Sequence, residues 1–319
     1  MKKWIFFVIL IISCKEQQTK LRYLPDSNAN INHLTVVMPK KSWNGVLGNK
    51  TRSLLETPYE GLPFDEPQFT LNYIPPKVFT GFARNSRNIL WFVKDSLARF
   101  QLTEDLMAQP QVVAKVKGED DDVQAYFLED NIKLLKAVLT ENERKEKVRR
   151  IKKSPTKDRH LHNRFKISLI YPTAYKIVKD TNNFIWIQKE IPKGHMNLIA
   201  YSLSIKALRG NVKKRIPEIR DSIGKTHIPG RLKGSYMITE KAYRPYFYKT
   251  QKGGRLTYLT KGTWEVANDF MAGPFINYMI KDTLRKRWMV IEGFVFAPAS
   301  NKRDQIFELN TILDTVVFD

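Results

Sequence analysis

The chain has 319 residues, a formal net charge of +22, 42 % hydrophobic and 12 % aromatic residues, and one cysteine. This composition excludes an intrinsically disordered chain, and a lone thiol excludes an intramolecular disulfide framework. The charge is uneven: Lys and Arg against Asp and Glu number 20 and 16 over residues 33–155 but 29 and 14 over residues 156–319, so the C-terminal half attracts anions in a salt-screened field.

Lys2 and Lys3 precede a run of nine apolar residues, 4–12, followed by Ser13 and Cys14. Nine helical residues rise about 14 Å, less than half the ~30 Å hydrocarbon core, so the run suits the h-region of an export signal and not a membrane span. No A-x-A-like cleavage site follows. Ile11-Ile12-Ser13-Cys14 stands there instead and resembles the bacterial lipobox, in which the cysteine takes diacylglycerol and the signal is cut before it. The expectation is a signal peptide over 1–13, lipidation at Cys14, and stable anchoring by two or three acyl chains. A core cysteine would leave the two leading lysines and the polar CKEQQTK unexplained.

Residues 14–32 predict a flexible polar tether with a reach on the order of 20 Å. The body opens on a strand at 34–38. A short helix follows in SWNGVLGNKTRSLLETP, stopped by Pro58, and then come strands in PQFTLNYI, RNILWFVKD and PQVVAKVKG. Acidic caps in GEDDD start a long helix whose apolar face is Leu128, Ile132, Leu135 and Leu139. Past Thr140 the pairs Glu141–Lys145, Glu143–Lys147 and Glu146–Arg150 stand at i,i+4, which predicts a helix that leaves the core and supports itself in water. Arg149, Arg150, Lys152 and Lys153 at its end read as a solvated face, or as an anion grip.

From Pro155 strands dominate: FKISLIYP, AYKIVKD, NFIWIQKE and MNLIAYSLS. A helix follows around VKKRIPEIRDSI, then strands in GSYMITE, RPYFYKT, RLTYLTKG, PFINYMIKD and RWMVIEGFVFAP. The closing helix spans SNKRDQIFELNTILDTV, with Ser300 or Asn301 as cap and Ile306, Leu309 and Leu313 as its apolar face. The fold class is therefore α+β, largely antiparallel sheet with a long mid-chain helix and a C-terminal helix packed on the sheet. It divides into an N-terminal α/β part, 33–155, and a basic strand-rich part, 156–319, or forms one continuous domain, 33–319. KDTNNFIW and KDTLRKRW each place a tryptophan, Trp186 and Trp288, five residues after a threonine, and a helix with I-x-E-[IL] lies further on, which hints at internal duplication.

Little in the sequence has the spacing of catalysis. His160 and His162 stand two apart with no H-E-x-x-H or paired-cysteine pattern, and EDDD lacks calcium-loop grammar, so neither a metal nor a cofactor is expected. No zinc-finger, helix-turn-helix or RNA-binding signature accompanies the charge, so nucleic acid is not the expected partner. Gly224, Gly230 and Gly234 frame a segment with Lys225, His227, Arg231 and Lys233, a candidate cradle for an anion. Tyr243, Tyr246 and Tyr248 follow in YRPYFYK. Rings beside basic groups suit a sugar or a headgroup, or else one wall of a β-rich core. Glu218, Asp221, Ser222 and His227 are the groups from which a hydrolase site would have to be assembled.

The blocks LPFDEPQF, RNI, IRDSIGKTHIPGRLKGSYM, MAGPF and IEGFVFAPASNKR, in this order from about His33 to the C-terminus and behind a lipobox cysteine, resemble the Bacteroidetes lipoprotein family catalogued as domain of unknown function 4837. The resemblance implies an outer-membrane lipoprotein and carries over no catalytic residue. CKEQQ has Lys15 and Glu16 but no second acid, so a periplasmic and a surface-exposed orientation both stay open. The expected function is a lipid-anchored component of the cell envelope that binds or scaffolds, with anionic lipid headgroups, acidic glycans or an envelope protein as partners. The alternatives are an envelope hydrolase acting on glycan or lipid and an accessory factor for outer-membrane assembly.

Overall fold

A computed structural model of the chain describes residues 23–298 and 300–319. The lipidation site Cys14 and the signal segment lie outside the described residues. No helix among the described residues is long and apolar enough to cross a membrane.

The N-terminal half builds one sheet from β1 (His33–Val37), β2 (Thr70–Ile74), β3 (Asn88–Lys94), β4 (Arg99–Glu104) and β5 (Val112–Gly118), in the order β2-β1-β3-β5-β4. Only β4 runs antiparallel. The parallel strands are apolar on both faces, as strands covered from both sides must be: Leu34, Val36, Leu90 and Val116 face one core, Val37, Ile89 and Val113 another. The single helix expected after β1 is two, α1 (Lys40–Trp43) and α2 (Val46–Leu55). They touch so closely that a Cβ on Gly48 would stand 1.9 Å from the Trp43 carbonyl oxygen.

The long helix is also two, α3 (Asp121–Asp130) and α4 (Ile132–Ile151), parted at Asn131. Asp120 caps the first, its carboxylate accepting from the Val123 amide at 2.9 Å. The expectation of a helix running free in water past Thr140 is overturned: Asn142, Glu143, Glu146 and Ile151 are buried. Of the three i,i+4 pairs only Glu146–Arg150 forms, at 2.6 Å. Glu143 turns inward to Arg87 and Lys147 crosses to Glu308, both 3.0 Å away. Local spacing could not show this, because the partners lie on distant elements.

After α5 (His160–Phe165) and a short β6 (Ile167–Ser168) come β7 (Lys176–Thr181), β8 (Phe184–Ile191), β9 (Gly194–Ser204), α6 (Val212–His227), β10 (Met237–Thr239), β11 (Tyr246–Lys252), β12 (Arg255–Val266), β13 (Asp269–Asp282), β14 (Arg287–Phe296), α7 (Arg303–Asp314) and β15 (Val317–Phe318). The large antiparallel sheet runs β10-β12-β13-β14-β9-β8-β7, with β11 also paired to β12, while β15 pairs β6. Helix α7 packs on one face over Met289 and Ile291, and α6 on the other over Val290 and Phe294. Contact with α7 is tight, since a Cβ on Gly293 would meet the Leu309 Cβ at 2.8 Å. The two echoing hairpins, β7–β8 and β13–β14, lie at the edge and the centre of this sheet, and the helices that follow them cover opposite faces.

The halves are tied together. Neither Ser300 nor Asn301 caps α7; the amides of Lys302 and Arg303 donate to the Glu66 carboxylate at 2.7 and 2.8 Å. Glu66→Ala should therefore lower stability by about 1–2 kcal/mol in denaturant titration, the upper range for a lost cap. A second tie is Glu308, which accepts from Lys147, Lys189 and the Tyr175 hydroxyl at 3.0, 2.7 and 3.1 Å. Burial raises this carboxyl, but the two ammonium groups outweigh it and hold it below its ordinary value. A depressed carboxyl adds stability that is complete above the unfolded-state value near 4.5 and fades as pH falls through the folded one. Glu308→Gln should flatten the acid limb of a stability–pH curve below that value.

The stretch expected as a tether up to Asn32 is fixed to the body where it is described. The Ser27 amide donates to the Gln109 carbonyl at 3.0 Å and that of Asn28 to the Asn85 carbonyl at 2.8 Å, while Ile31 and Asn32 are buried.

Candidate functional site

In the β11–β12 hairpin Tyr246 pairs with Lys261 and Tyr248 with Leu259. Strand alternation puts Tyr246 and Tyr248 on one face, while Phe247 packs into the core beneath α6. Tyr243 stands ahead of the strand in the connecting loop. Facing these rings is a loop from the N-terminal half, residues 58–65. Gly61 adopts φ +87° in it, close enough that a Cβ would stand 3.0 Å from the Lys261 Cβ.

The join between loop and hairpin is Glu60. Its Oε2 accepts from the Tyr248 hydroxyl at 2.8 Å and from Lys261 Nζ at 3.1 Å. The Lys261 ammonium also lies 5.5 Å from the Tyr248 ring and 5.9 Å from that of Tyr59. Partial burial raises the Glu60 carboxyl, but the Lys261 charge and the two hydrogen bonds prevail and keep it below its ordinary value. Burial first, and Glu60 second, push the Tyr248 phenol up to about 12, and burial does the same to Tyr59. At neutral pH the site thus presents phenols and a neutralised carboxylate.

Above this base opens a groove of about 490 Å3, walled by Tyr59, Phe64, Tyr243, Arg244 and Tyr246. Phe64 is 74 % exposed, Tyr243 64 % and Tyr246 49 %. Exposed rings on a rigid strand and loop offer stacking faces, and their hydroxyls and Arg244 offer hydrogen bonds. Glu60, engaged twice and with a lowered pKa, is badly suited to act as a general base.

The other sequence candidates do not join this groove. Lys225 and His227 sit in the last turn of α6, not in a loop, and Gly224 lies inside that helix. The His227 ring stacks on Phe184 at 4.1 Å; burial, helped by Lys179, lowers its pKa. Arg231 is already engaged by Asp269 through two bonds of 2.8 and 2.9 Å, and Lys233 is exposed. The expected anion cradle is not assembled, because the helix runs on through Lys225 and His227, where the glycines had suggested a loop. The hydrolase quartet all lies on α6, but its members are engaged separately. Glu218 pairs with Arg215 at 2.6 Å, Asp221 accepts from the Thr239 amide at 2.7 Å, and Ser222 is exposed. His160 and His162 bind different carboxylates, Asp180 and Asp319, and no cluster of three or more metal-ligating side chains occurs among the described residues.

Sequence reading missed Glu60, Phe64 and Lys261. The only local signal for Glu60 and Phe64 was an aromatic residue on each side of a Pro/Gly-rich turn in PYEGLPFD; Lys261 lies far along the chain on β12.

Comparison with known families places residues 154–315, just over half of the chain, under the model described as Domain of unknown function (DUF4837). Residues 27–152 match a separate one, Domain of unknown function (DUF8532). The resemblance that had been read from about His33 onward is thereby narrowed, since LPFDEPQF and RNI fall in the second match. No curated protein matches the chain. Among solved structures, the Ran-binding protein Mog1p of Saccharomyces cerevisiae is 12 % identical at a TM-score of 0.32, covering 48 % of this chain and 90 % of that one. A Glu-to-Ala mutant of protein Mog1 gives 0.30 at the same identity and coverage. At these scores the likeness carries no inference.

Proposed function

Because the chain belongs to the family described as Domain of unknown function (DUF4837), whose description assigns no activity, we propose a function from the groove: a binding component of a bacterial cell envelope that holds an acidic glycan. The observation that carries this reading is the set of exposed rings Phe64, Tyr243 and Tyr246 beside Arg244, over a Glu60 already neutralised by Lys261. Rings stack on the apolar faces of sugars and the guanidinium takes a carboxylate or sulfate, while Glu60 is engaged by Tyr248 and Lys261; Asp65, exposed, is the groove's other carboxylate. The excess of cations in residues 156–319 draws such a polyanion in. The lipobox at Cys14 supports a lipid anchor, with the outer membrane as its site.

The test is calorimetric titration with oligogalacturonate and with its neutral galactose counterpart. Tyr246→Ala and Phe64→Ala should each weaken binding of the acidic oligomer about tenfold, or ~1.4 kcal/mol, and leave the unfolding temperature unchanged. Equal affinity in wild type and both variants would remove the groove from the account. For the anchor, Cys14→Ser should abolish both the lipid-dependent mass increase and the cut before residue 14, leaving the full-length chain; a mutant still cut and lipid-modified as wild type would overturn it.

A further inference from the structure

One end of the C-terminal sheet carries apolar side chains that the fold does not use. Phe270, at the start of β13, is 104 % exposed, and Leu232, in the loop between α6 and β10, is 51 % exposed. Neither belongs to any of the core clusters. The two loops are held together: Arg231 donates from Nε and Nη2 to the Asp269 carboxylate at 2.8 and 2.9 Å, and Asp269 also accepts from the Phe270 amide at 2.8 Å. Two bare apolar residues, each next in sequence to one partner of this ion pair, are thus carried by tied segments, not by free loops.

Behind them lies a pocket of about 190 Å3 walled by Trp186, Ile228, Trp264, Met271, Phe294 and Phe296. Its polar groups are spent on one another. Trp186 Nε1 donates to Asn197 at 3.0 Å and Trp264 Nε1 to the Val295 carbonyl at 3.2 Å, while of the other polar lining Gln188 and His195 bond Glu190 at 2.6 and 2.9 Å and Arg231 holds Asp269. The volume is a little above that of cavities (~150 Å3) that take up benzene. That is room for the end of an alkyl chain. The segments that flank the pocket's lining in sequence carry exposed lysines: Lys233 next to Leu232, Lys193 in the β8–β9 turn and Lys225 in the last turn of α6. The nearby acids Asp269 and Glu190 are already engaged by Arg231 and by His195, at 2.8 and 2.9 Å.

We propose that this end of the sheet is a membrane-docking face, on which Phe270 and Leu232 enter the interfacial layer of an anionic bilayer, the lysines meet lipid phosphates, and the pocket admits the end of one acyl chain. Exposed apolar residues on a chain segment that also carries exposed lysines are the pattern that binds by partial insertion together with attraction to anionic lipid. Charge decides the occupant: in a chain of net charge +22 an anionic lipid surface fits these exposed lysines better than a second, equally basic copy of the chain. The proposal does not rest on the glycan groove, and neither residue lines it.

The test uses the full chain and vesicles of phosphatidylglycerol and phosphatidylcholine carrying chain-brominated lipid, with tryptophan emission as the readout. Trp186 and Trp264 wall the pocket and report bromine that enters it. Wild type should be quenched, and Phe270→Ser/Leu232→Ser should lose at least half of that quenching with its unfolding temperature unchanged, because both side chains lie outside the core. Lys193→Glu/Lys233→Glu should lose it on anionic vesicles. Any contribution from the N-terminal segment is common to all these proteins, so equal quenching in wild type and the Phe270/Leu232 variant would overturn the proposal. So would a vesicle-free dimer that the same variant converts to monomer, which would make the patch a self-contact. Glycan titration of the variant should be unchanged, which keeps this outcome separate from that of the groove.

Discussion

Arg220→Ala should lower the unfolding free energy by about 3–5 kcal/mol, a fall on the order of 10 °C in the unfolding temperature of a chain this size. The guanidinium on α6 is 2 % exposed and the carboxylate of Glu292 on β14 is fully buried. Arg220 Nε reaches both Glu292 oxygens, at 2.9 and 3.1 Å, Nη1 reaches Thr239 at 3.2 Å, and the group lies 3.7 Å over the Phe275 ring. Truncation would leave Glu292 charged in the core with only Asn277 Nδ2, 2.8 Å away, as a donor. The cost is that of an uncompensated buried charge and not the net worth of the pair. Arg220→Met with Glu292→Leu should accordingly recover most of the loss, and chemical denaturation of wild type, Arg220→Met, Glu292→Leu and the double variant closes a double-mutant cycle. A single variant within about 1 kcal/mol of wild type would mean that α6 is held by its apolar face alone.

What the sequence revealed and what it hid follow one rule. Elements buried by their own periodicity were legible: Ile306, Leu309 and Leu313 all lie in the core as their spacing required, and PFINYMIKD and RWMVIEGFVF form neighbouring central strands. Tyr246 and Tyr248 were legible as a pair because a strand repeats every two residues. Strand β4 was missed, since RFQLTE at a sheet edge is at most half-buried and shows little apolar contrast. Strand direction was equally hidden: β1, β3 and β5 look like any apolar strand, and nothing local says that they run parallel. The features that need two distant segments left no trace at all. Glu66 caps a helix 236 residues away, Lys147 pairs 161 residues away, and the groove joins Glu60 to Lys261 across 201. At Lys147 charge spacing predicted a local pair with Glu143, because local pairs are all that spacing can express.

That lesson bears directly on Glu143, whose truncation to alanine is the second large effect expected. Its carboxylate accepts from Arg87 Nε and Nη2, both at 3.0 Å, and from Asn88, which in turn accepts from Asn142 at 2.9 Å. Both charged side chains are fully buried. Arg87 also donates to the carbonyls of Ala29 and Asn30, at 3.2 and 2.7 Å, so one guanidinium holds β3, α4 and the incoming N-terminal segment together. Glu143→Ala should cost about 3–5 kcal/mol, because Arg87 then keeps its charge with Glu146, 4.0 Å off, as its nearest acid. Burial lifts the Glu143 carboxyl above its ordinary value in spite of Arg87. A raised carboxyl stabilises most below the unfolded-state value and loses that contribution as pH climbs through the folded one. The gap between wild type and Glu143→Gln should therefore narrow as pH rises above the ordinary carboxylate range, opposite in sense to the Glu308 effect. Because α4 puts Leu135 and Leu139 in the N-terminal core and Ile151 in the C-terminal one, the loss should be shared. Emission from Trp91 alone and from Trp264 alone, each read in a chain whose other tryptophans are replaced by phenylalanine, should shift to lower denaturant together when Glu143 is removed. If only the Trp91 transition moved, α4 would not couple the two cores, and the family boundary near residue 153 would also be a boundary of cooperativity.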